Sequence, residues 1–232
     1  MLTAAAIALA AATTPAPCAR IVIDPGHNRL PNYGLEPVGP KSRTLDVKDG
    51  GGVFGIRSHA PSSRVNLKIG LRLRDILRSN GYCVTMTRSR QGGVGMGNIA
   101  RARIANKAHA ALFVRIHCDG SNDHSRYGTA TLYPAFHRGW TDDVLPASKN
   151  AAKLIQDSLV KALGSRDLGT ISRKDVTGFN WSNVPVVLTE VGFMTNRGED
   201  RLLTTDAYKA RAAQGIADGI MKFVPPSPPV QQ

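Results

Sequence analysis

Three short apolar segments, each leading to a histidine or a glutamate, limit the folds that this chain can adopt. They are Arg20–Asp24, which runs into Pro25-Gly26-His27, then Ala110–His117 and Pro185–Glu190. Short apolar runs beside turn residues are typical of buried strands. Because segments with helical periodicity lie between them, we predict a single α/β domain with a mainly parallel central sheet flanked by helices.

The segments between these strands are of two kinds. An amphipathic helical pattern begins near Ser62 or Ser63, and either serine is suited to cap that helix. Cys83–Thr87 predicts a further strand. In contrast, Asn28–Pro61 and Arg166–Asn183 show no periodicity, and we predict loops there. A loop as long as the first is usually functional in a compact domain, and the sequence leaves open whether it covers a site as a lid.

The two ends of the chain differ from its middle. Residues 1–19 pass from an apolar, alanine-rich run into small residues and prolines, which is the pattern of an export signal without its basic start. The run is too short to cross a bilayer as a helix. We therefore expect a secreted, periplasmic or wall-associated protein without stable membrane insertion, with its folded domain over 20–224. Residues 225–232 are proline-rich and are predicted to be disordered.

The chain has three cysteines, Cys18, Cys83 and Cys118. Export permits disulfides. If the strands at Cys18 and Cys83 are neighbours, their sulfur atoms come within reach, and the sequence leaves open whether they bond. Lipid attachment at Cys18 is disfavoured, because Pro15 stands where the attachment signal has leucine. Cys118 directly follows His117, a candidate metal ligand discussed below, and we expect Cys118 to be a small core residue.

The chain is strongly basic, with 30 Lys and Arg against 17 Asp and Glu and a formal charge of +13. Such an excess favours an anionic partner. Nucleic acid and a cell wall with anionic polymers and peptide carboxylates both meet this condition. However, the basic residues are scattered and no nucleic-acid recognition motif is present. We therefore predict no nucleic-acid partner.

The residues at the ends of the three strands are candidates for a functional site. In open parallel sheets, sites form at the carboxyl ends of the strands, so His27, His117 and Glu190 are predicted to converge. Imidazole and carboxylate groups suit Zn²⁺. The spacing of these residues alone does not establish a metal site. A histidine after Asp-Pro-Gly can cap a turn, and a histidine at a strand end can be an ordinary core residue.

Three strings of residues resemble the motifs of one family, in the same order. They are VIDPGHN at Val22–Asn28, ARARIAN at Ala100–Asn106 with LFVRIHCDG at Leu112–Gly120, and VPVVLTEVGFMTN at Val184–Asn196. The family is that of the zinc-dependent N-acetylmuramoyl-L-alanine amidases, amidase type 3, and the resemblance extends over nearly all of residues 20–223.

The resemblance implies a mechanism and a substrate. His27 and His117 would be two of three zinc ligands, and Glu190 would be the catalytic carboxylate that moves a proton from a zinc-activated water to the leaving amine. The implied substrate is peptidoglycan, cleaved between N-acetylmuramic acid and L-alanine of the stem peptide. We expect a monomer.

One position departs from the family pattern. The family has its third zinc ligand, a glutamate, near the start of the first helix, where this chain has Ser62. A serine hydroxyl is a poor ligand for Zn²⁺ compared with a carboxylate. Three alternatives stay open: His59 replaces the ligand, Glu36 or Asp49 reaches the metal from the long loop, or the metal has only two protein ligands.

The last alternative implies a different function. With two ligands the protein would bind zinc weakly, and a catalytically impaired relative would bind peptidoglycan as a binding or regulatory module. A second open question concerns Phe179, Asn180 and Trp181, which either line a substrate groove or anchor their loop.

Overall fold

The apolar runs of the sequence form the inner strands of one six-stranded sheet. The computed structural model describes residues 18–226. Its elements follow one another as β1 (Arg20–Pro25), β2 (Asn32–Pro37), β3 (Leu45–Asp49), α1 (Ser62–Ser79), β4 (Cys83–Met86), α2 (Asn98–Lys107), β5 (Leu112–Asp119), β6 (Thr129–Pro134), α3 (Leu145–Leu163), β7 (Asp167–Arg173), α4 (Thr177–Asn180), β8 (Val186–Phe193), α5 (Arg197–Thr204) and α6 (Asp206–Phe223).

The order of strands in the main sheet is β4-β1-β5-β8-β6-β7. The first four strands are parallel to one another, and β6 runs antiparallel to β8 while pairing in parallel with β7. The predicted mainly parallel α/β domain is therefore confirmed, with an antiparallel step on one side. The carboxyl ends of β1, β5 and β8 lie side by side.

Both faces of the inner strands are buried. Along β1, Ile21 and Ile23 point to one face and pack with apolar residues of α1, α3 and α6. Val22 points to the other face and packs in a second cluster with residues of α2 and α4. This alternation follows from the two-residue period of a strand, and it explains why the segment is apolar throughout.

The two segments predicted to be loops contain secondary structure, so those predictions were wrong. Within 28–61, β2 and β3 form a separate antiparallel two-stranded sheet. Within 166–183 lie β7, which pairs only with β6 at the edge of the sheet, and the short α4. These strands are largely exposed or half-buried. Without a buried face they do not show the apolar pattern from which strands are predicted.

Two inner strands run further than their apolar residues indicate. The predictions placed strand ends at His117 and Glu190, whereas β5 continues to Asp119 and β8 to Phe193. The pairing resumes after an irregularity that follows His117. His117 and Glu190 therefore lie inside paired strands, where the ladder fixes their backbones.

The sulfur atoms of Cys18 and Cys83 form a disulfide, with their Cα atoms 5.6 Å apart. The pairing of β1 with β4, which sets Arg20 opposite Cys83, brings them together. A sulfur in this bond is not free for lipid attachment. Cys118 is a free, buried thiol within the main core cluster, as predicted.

The predictions for the two ends of the chain fall largely outside the described residues. This holds for residues 1–17 of the export-like segment and for residues 227–232 of the proline-rich tail. Over the described range, none of the helices combines the length and the apolar character needed to cross a membrane.

Candidate active site

The carboxyl ends of β1, β5 and β8 bring the predicted site residues together. The imidazole rings of His27 and His117 meet edge to face with their centroids 4.8 Å apart. Glu190 is the partner of His117 in the register of β5 and β8. Since residues paired in register lie side by side, two histidines and one glutamate share this edge of the sheet.

His27 is held in an unusual backbone conformation. Its φ is 58°, in the left-handed region that residues other than glycine rarely adopt. The turn is fixed just before it, where the amide of Gly26 donates a hydrogen bond to the carbonyl of Ile116 (2.9 Å). A side chain at Gly26 would collide with the ring of His117, so only glycine allows the two histidines to approach in this way.

Asp49, the last residue of β3, contacts His27 directly. Its Oδ1 lies 2.7 Å from Nδ1 of His27 and accepts a hydrogen bond from the amide of Gly51 (3.0 Å). Its Oδ2 accepts from the amide of Asn28 (3.1 Å) and lies 3.7 Å from the guanidinium of Arg101. Burial acts to raise the pKa of Asp49, but these hydrogen bonds and charges lower it overall.

His117 has no partner for one of its ring nitrogens. Its Nε2 is buried and makes no hydrogen bond to any of the described residues. Burial, followed by the charges of His27 and Arg115, lowers the pKa of His117 well below its ordinary value. The ring is therefore neutral at physiological pH, which is the form that binds metals.

Glu190 also has a carboxylate oxygen without a hydrogen-bond partner among the described residues. Its Oε2 is buried and accepts no hydrogen bond from the described residues. Burial, followed by repulsion from Asp119, raises the pKa of Glu190 well above its ordinary value, against the opposing charges of Arg173 and Arg115. Unpaired buried polar atoms are rare in folded proteins, and they point to a bound group or a catalytic role.

A buried ionic network lies beneath these side chains. Asp24, fully buried in β1, binds Arg101 (2.5 Å), Arg115 (2.9 Å) and the hydroxyl of Thr87 (2.6 Å). Burial favours the neutral acid, but the two guanidinium groups outweigh it and hold the pKa of Asp24 well below its ordinary range. Sequence reasoning missed this network, although an arginine inside the apolar run that forms β5 was a visible signal.

Ser62 does not cap α1, contrary to the prediction. The N-cap residue is Pro61, and no side chain caps the helix. Ser62 is fully buried, and its hydroxyl accepts a hydrogen bond from the amide of Val53 (3.1 Å). A Cβ added at Gly52 would collide with the side chains of both Ser62 and His27, which shows that this glycine lies between them.

Of the three candidates for a replacement ligand, only Asp49 lies at the site. The carboxylate of Glu36 accepts hydrogen bonds from the amides of Asn98 (2.6 Å) and Ile99 (3.3 Å), and so caps the start of α2. His59 is exposed in the segment before α1. It is not among the residues that line the small cavity beside His27 and His117. The positions of Glu36 and His59 therefore favour neither of them as a ligand.

The site cavity is small, at about 50 Å³. Its lining residues are His27, Lys48, Asp49, Gly50, Asn98, Arg101, Arg115 and His117. Across residues 18–226, no group of three or more His, Cys, Asp or Glu side chains is placed to hold a metal ion. The orphaned nitrogen of His117 and the neighbouring imidazole of His27 supply two donor groups of the kind that Zn²⁺ prefers, one fewer than the three protein ligands of a catalytic zinc site.

The aromatic segment before β8 anchors its surroundings. Phe179 is fully buried, and the indole N–H of Trp181 donates to the carbonyl of Pro37 (2.8 Å). The side-chain amide of Asn180 donates to the carbonyl of Val38 (2.9 Å). These contacts hold the end of β2 against α4, which favours the anchoring interpretation over a role in lining a groove.

Comparison with known sequences supports one family. The family described as N-acetylmuramoyl-L-alanine amidase matches residues 21–222. An N-acetylmuramoyl-L-alanine amidase of Mycobacterium tuberculosis is 27% identical over 228 residues, covering 92% of this chain and 90% of that protein. The amidase LytC of Bacillus subtilis is 31% identical over 159 residues, which are 68% of this chain but only 30% of LytC. The chain thus spans less than a third of LytC and nearly all of the mycobacterial protein.

Solved structures agree with the sequence comparisons. The N-acetylmuramyl-L-alanine amidase Ami1 of Mycobacterium smegmatis matches with a TM-score of 0.80 at 25% identity, over 88% of this chain and 96% of that chain. The catalytic domain of CwlV from Bacillus (Paenibacillus) polymyxa matches with a TM-score of 0.71 at 28% identity, over 88% and 97%.

Proposed function

Because the chain belongs to the N-acetylmuramoyl-L-alanine amidase family, we propose that it hydrolyses the amide bond between N-acetylmuramic acid and L-alanine of the peptidoglycan stem peptide. The observation that carries this proposal is the pair His117 and Glu190. They are adjacent in register, and each holds a buried polar atom without a partner among the described residues. This arrangement supports the proposal that His117 is a metal ligand and Glu190 a proton-transfer group.

The residues of the site divide the chemistry between them. His27 and His117 are the residues that would hold Zn²⁺, and a bound zinc ion would supply a Lewis acid that polarises a carbonyl and lowers the pKa of water. Glu190 accepts a proton from the attacking water and delivers it to the nitrogen of L-alanine as the C–N bond breaks. The products are a free lactyl carboxylate on the glycan and a free amine on the peptide.

The surroundings of Glu190 suit this role. A general base works best when its pKa lies near the working pH, and burial together with the charge of Asp119 raises the pKa of Glu190 in that direction. The Asp24–Arg101–Arg115 network fixes the strands behind the histidines. This rigid support is consistent with the roles that we propose for His27, His117 and Glu190.

Several features support action outside the cytoplasm on the cell wall. The Cys18–Cys83 disulfide is of a kind that persists in oxidising compartments. The export-like start of the sequence and the charge of +13, which favours an anionic substrate, agree with this location. We infer that the protein is secreted and works as a monomer.

A second candidate function is a catalytically impaired module that binds peptidoglycan. Ser62 stands where the family has a glutamate ligand, and no three-ligand group is present among residues 18–226. This alternative predicts weak zinc binding and no hydrolysis in the wild type.

The test measures zinc content and release of stem peptide from purified peptidoglycan, for the wild type, Glu190→Ala and Ser62→Glu. An amidase binds about one zinc per chain and releases peptide, and Glu190→Ala keeps the zinc but loses the release. Asp123→Ala, at an exposed acid of the loop after β5, is the control and should behave as the wild type. Hydrolysis in Ser62→Glu alone would favour the impaired module, and none in any zinc-loaded variant would reject the amidase proposal.

A further inference from the structure

A second cavity, of about 230 Å³, lies between α1 and the junction of α5 with α6. We call it the Lys209 pocket, and its lining residues are Ala60, Arg64, Val65, Lys68, Thr204 and Lys209. None of them lines the cavity at the active site. Three of these side chains carry a positive charge and none carries a negative one. Such a concentration of positive charge in a concave site favours an anion.

Lys209 is held in this pocket differently from an ordinary surface lysine. Its side chain is only 4% exposed. Its Nζ donates a hydrogen bond to the carbonyl of Thr204 (2.8 Å) and contacts Oδ1 of Asp206 (3.1 Å). A protonated lysine has three donors, and these contacts use two of them. Because a buried donor without an acceptor costs free energy, the third favours a ligand that accepts a hydrogen bond inside the pocket.

The positive charge around the pocket is not balanced by the protein. Within the described part of the chain, Asp206 is the one carboxylate in contact with these cations, and it is shared between Lys209 and Arg72 (3.3 Å). Arg64 and Lys68 form no salt bridge with any residue of 18–226. Four cations therefore surround a single carboxylate, and the excess is available to a bound anion.

The cations continue along α1 beyond the pocket. Arg64, Lys68 and Arg72 are spaced four residues apart, so they lie on one face of the helix. From the first to the last they extend over roughly 12 Å of the helix axis. A single small anion would occupy only the pocket, whereas a chain with repeated negative charges would also contact the rest of this row. The row therefore favours a polymeric anion.

We propose that the Lys209 pocket binds a phosphate group of an anionic cell-wall polymer, and that the row along α1 binds the phosphates next to it. Lysine binds phosphate as a point charge and arginine binds it through a planar fork. The oxygens of a phosphate point in several directions, so one group accepts hydrogen bonds from Arg64, Lys68 and Lys209 together. A carboxylate, with two oxygens in one plane, suits such a set of donors less well.

The inference goes beyond the proposed hydrolysis, because it concerns a separate site. Ser62 lies on the active-site side of the first turn of α1, next to Gly52, whereas Arg64 lines the pocket. Residues two positions apart on a helix do not face each other. A polymer bound along α1 therefore leaves the active site open and holds the protein on the wall.

The first test is titration of the full ¹⁵N-labelled chain with inorganic phosphate, followed by amide chemical shifts. We expect shifts confined to the start of α1 and to residues 204–209. The double variant Arg64→Gln/Lys68→Gln loses two charged donors, so its affinity should fall more than about tenfold. Shifts spread over the whole surface would contradict the proposal.

The control is Lys107→Gln/Lys149→Gln, which removes the same charge at exposed lysines of α2 and α3. It should bind phosphate as the wild type does. If it loses as much affinity as the pocket variant, the attraction depends only on net charge and the proposal is wrong. If the pocket variant does not fold, Arg64→Gln alone, at an exposed residue, replaces it, with a loss of affinity again expected.

The second test identifies the source of the phosphate. Glu190→Ala, which should leave the wall intact, is sedimented with cell walls that carry a glycerol-phosphate polymer, before and after hydrofluoric acid removes that polymer. We expect binding to fall on removal of the polymer, and to fall likewise when Arg64→Gln/Lys68→Gln is added. Undiminished binding to stripped walls would mean that peptide carboxylates attract the protein, and would overturn the proposal. Neither test requires hydrolysis, so its outcome is independent of the amidase proposal.

Discussion

Two regions build the site, and different forces hold them in place. The sheet edge of β1, β5 and β8 carries His27, His117 and Glu190, and the ladder of backbone hydrogen bonds fixes this edge. The hairpin region, which we define as residues 28–61 with β2 and β3, carries Asp49. It is separate from the main sheet and is fastened by side chains that bond to backbone, such as Trp181 to Pro37.

This difference makes the two regions unequal in robustness. A residue in a buried ladder moves only if the sheet moves. A hairpin held by polar contacts depends on bonds worth about 1 kcal/mol each. We therefore expect changes at the sheet edge to abolish function or folding, and changes in the hairpin region to adjust metal affinity by degrees.

The largest effect is expected from Glu190→Gln. Loss of a general base lowers kcat by about 10²–10⁴-fold, since the amide cannot accept the proton of the attacking water. Because Oε2 makes no hydrogen bond within the described residues, the change should not lower the melting temperature. The measurements are stem-peptide release, zinc content and thermal unfolding. Unchanged release would remove Glu190 from the mechanism.

Asp24→Asn should have the next largest effect, on stability. The change leaves Arg101 and Arg115 buried without their shared counter-charge, which costs about 3–5 kcal/mol. Denaturant titration of the free energy of unfolding measures it. Asp75→Asn, which breaks an exposed pair with Arg74, is the control and should cost much less. Equal losses in both would mean that the buried network does not hold the sheet edge.

Acid should act on the same network. The pKa of Asp24 is depressed in the folded protein, so its contribution to stability is complete above its unfolded pKa, near 3.8, and falls as the pH drops below that value. We expect the wild type to lose stability faster than Asp24→Asn between about pH 4 and pH 2. Parallel pH profiles for the two proteins would contradict this.

The sheet edge could be predicted from the sequence, because buried strands leave a recognisable pattern of consecutive apolar residues. Buried strands of a parallel sheet are apolar on both faces, and their ends share one edge, so runs ending near His27, His117 and Glu190 predicted a common site. The buried ionic network was missed, because a charge within an apolar run does not reveal its partners.

The hairpin region could not be predicted, because its strands leave no such apolar pattern and its contacts are distant in sequence. Its strands bury neither face fully, and bonds such as the one from Trp181 to Pro37 join residues more than a hundred positions apart. The sequence left Asp49 as one of several candidate ligands. Only the tertiary fold places Asp49 against His27 and engages Glu36 as a cap for α2.

A smaller effect is expected from Gly52→Ala in the hairpin region. Gly52 has a φ of +74°, and a Cβ there would meet both Ser62 and the ring of His27. The left-handed conformation alone costs about 1–2 kcal/mol for a residue with a side chain. We expect lower stability and weaker zinc binding. The matched control is Gly81→Ala, at a glycine outside the cavity with a φ of +83°, where a Cβ meets nothing. If the two variants bind zinc equally, this loop does not position His27.

The smallest effect is expected from Trp181→Phe. It removes the indole N–H that donates to Pro37 and keeps an aromatic ring, so the loss should be about 0.5–1.5 kcal/mol. Amide exchange in β2 and β3 should become faster, while exchange in β5 and β8 stays as in the wild type, because local opening of the hairpin does not require the sheet to open.

Trp140→Phe is the control for this change. Trp140 stacks on His137 and packs against Gly39 of the hairpin region, but its indole N–H makes no hydrogen bond to the described residues, so this change reduces the ring without removing a bond. Faster exchange limited to the hairpin in Trp181→Phe, with slightly weaker zinc binding, would mean that metal affinity depends on how firmly the hairpin holds Asp49 against His27. If exchange in β5 and β8 rises equally, the hairpin and the sheet edge open as one unit, and the distinction between the two regions is wrong.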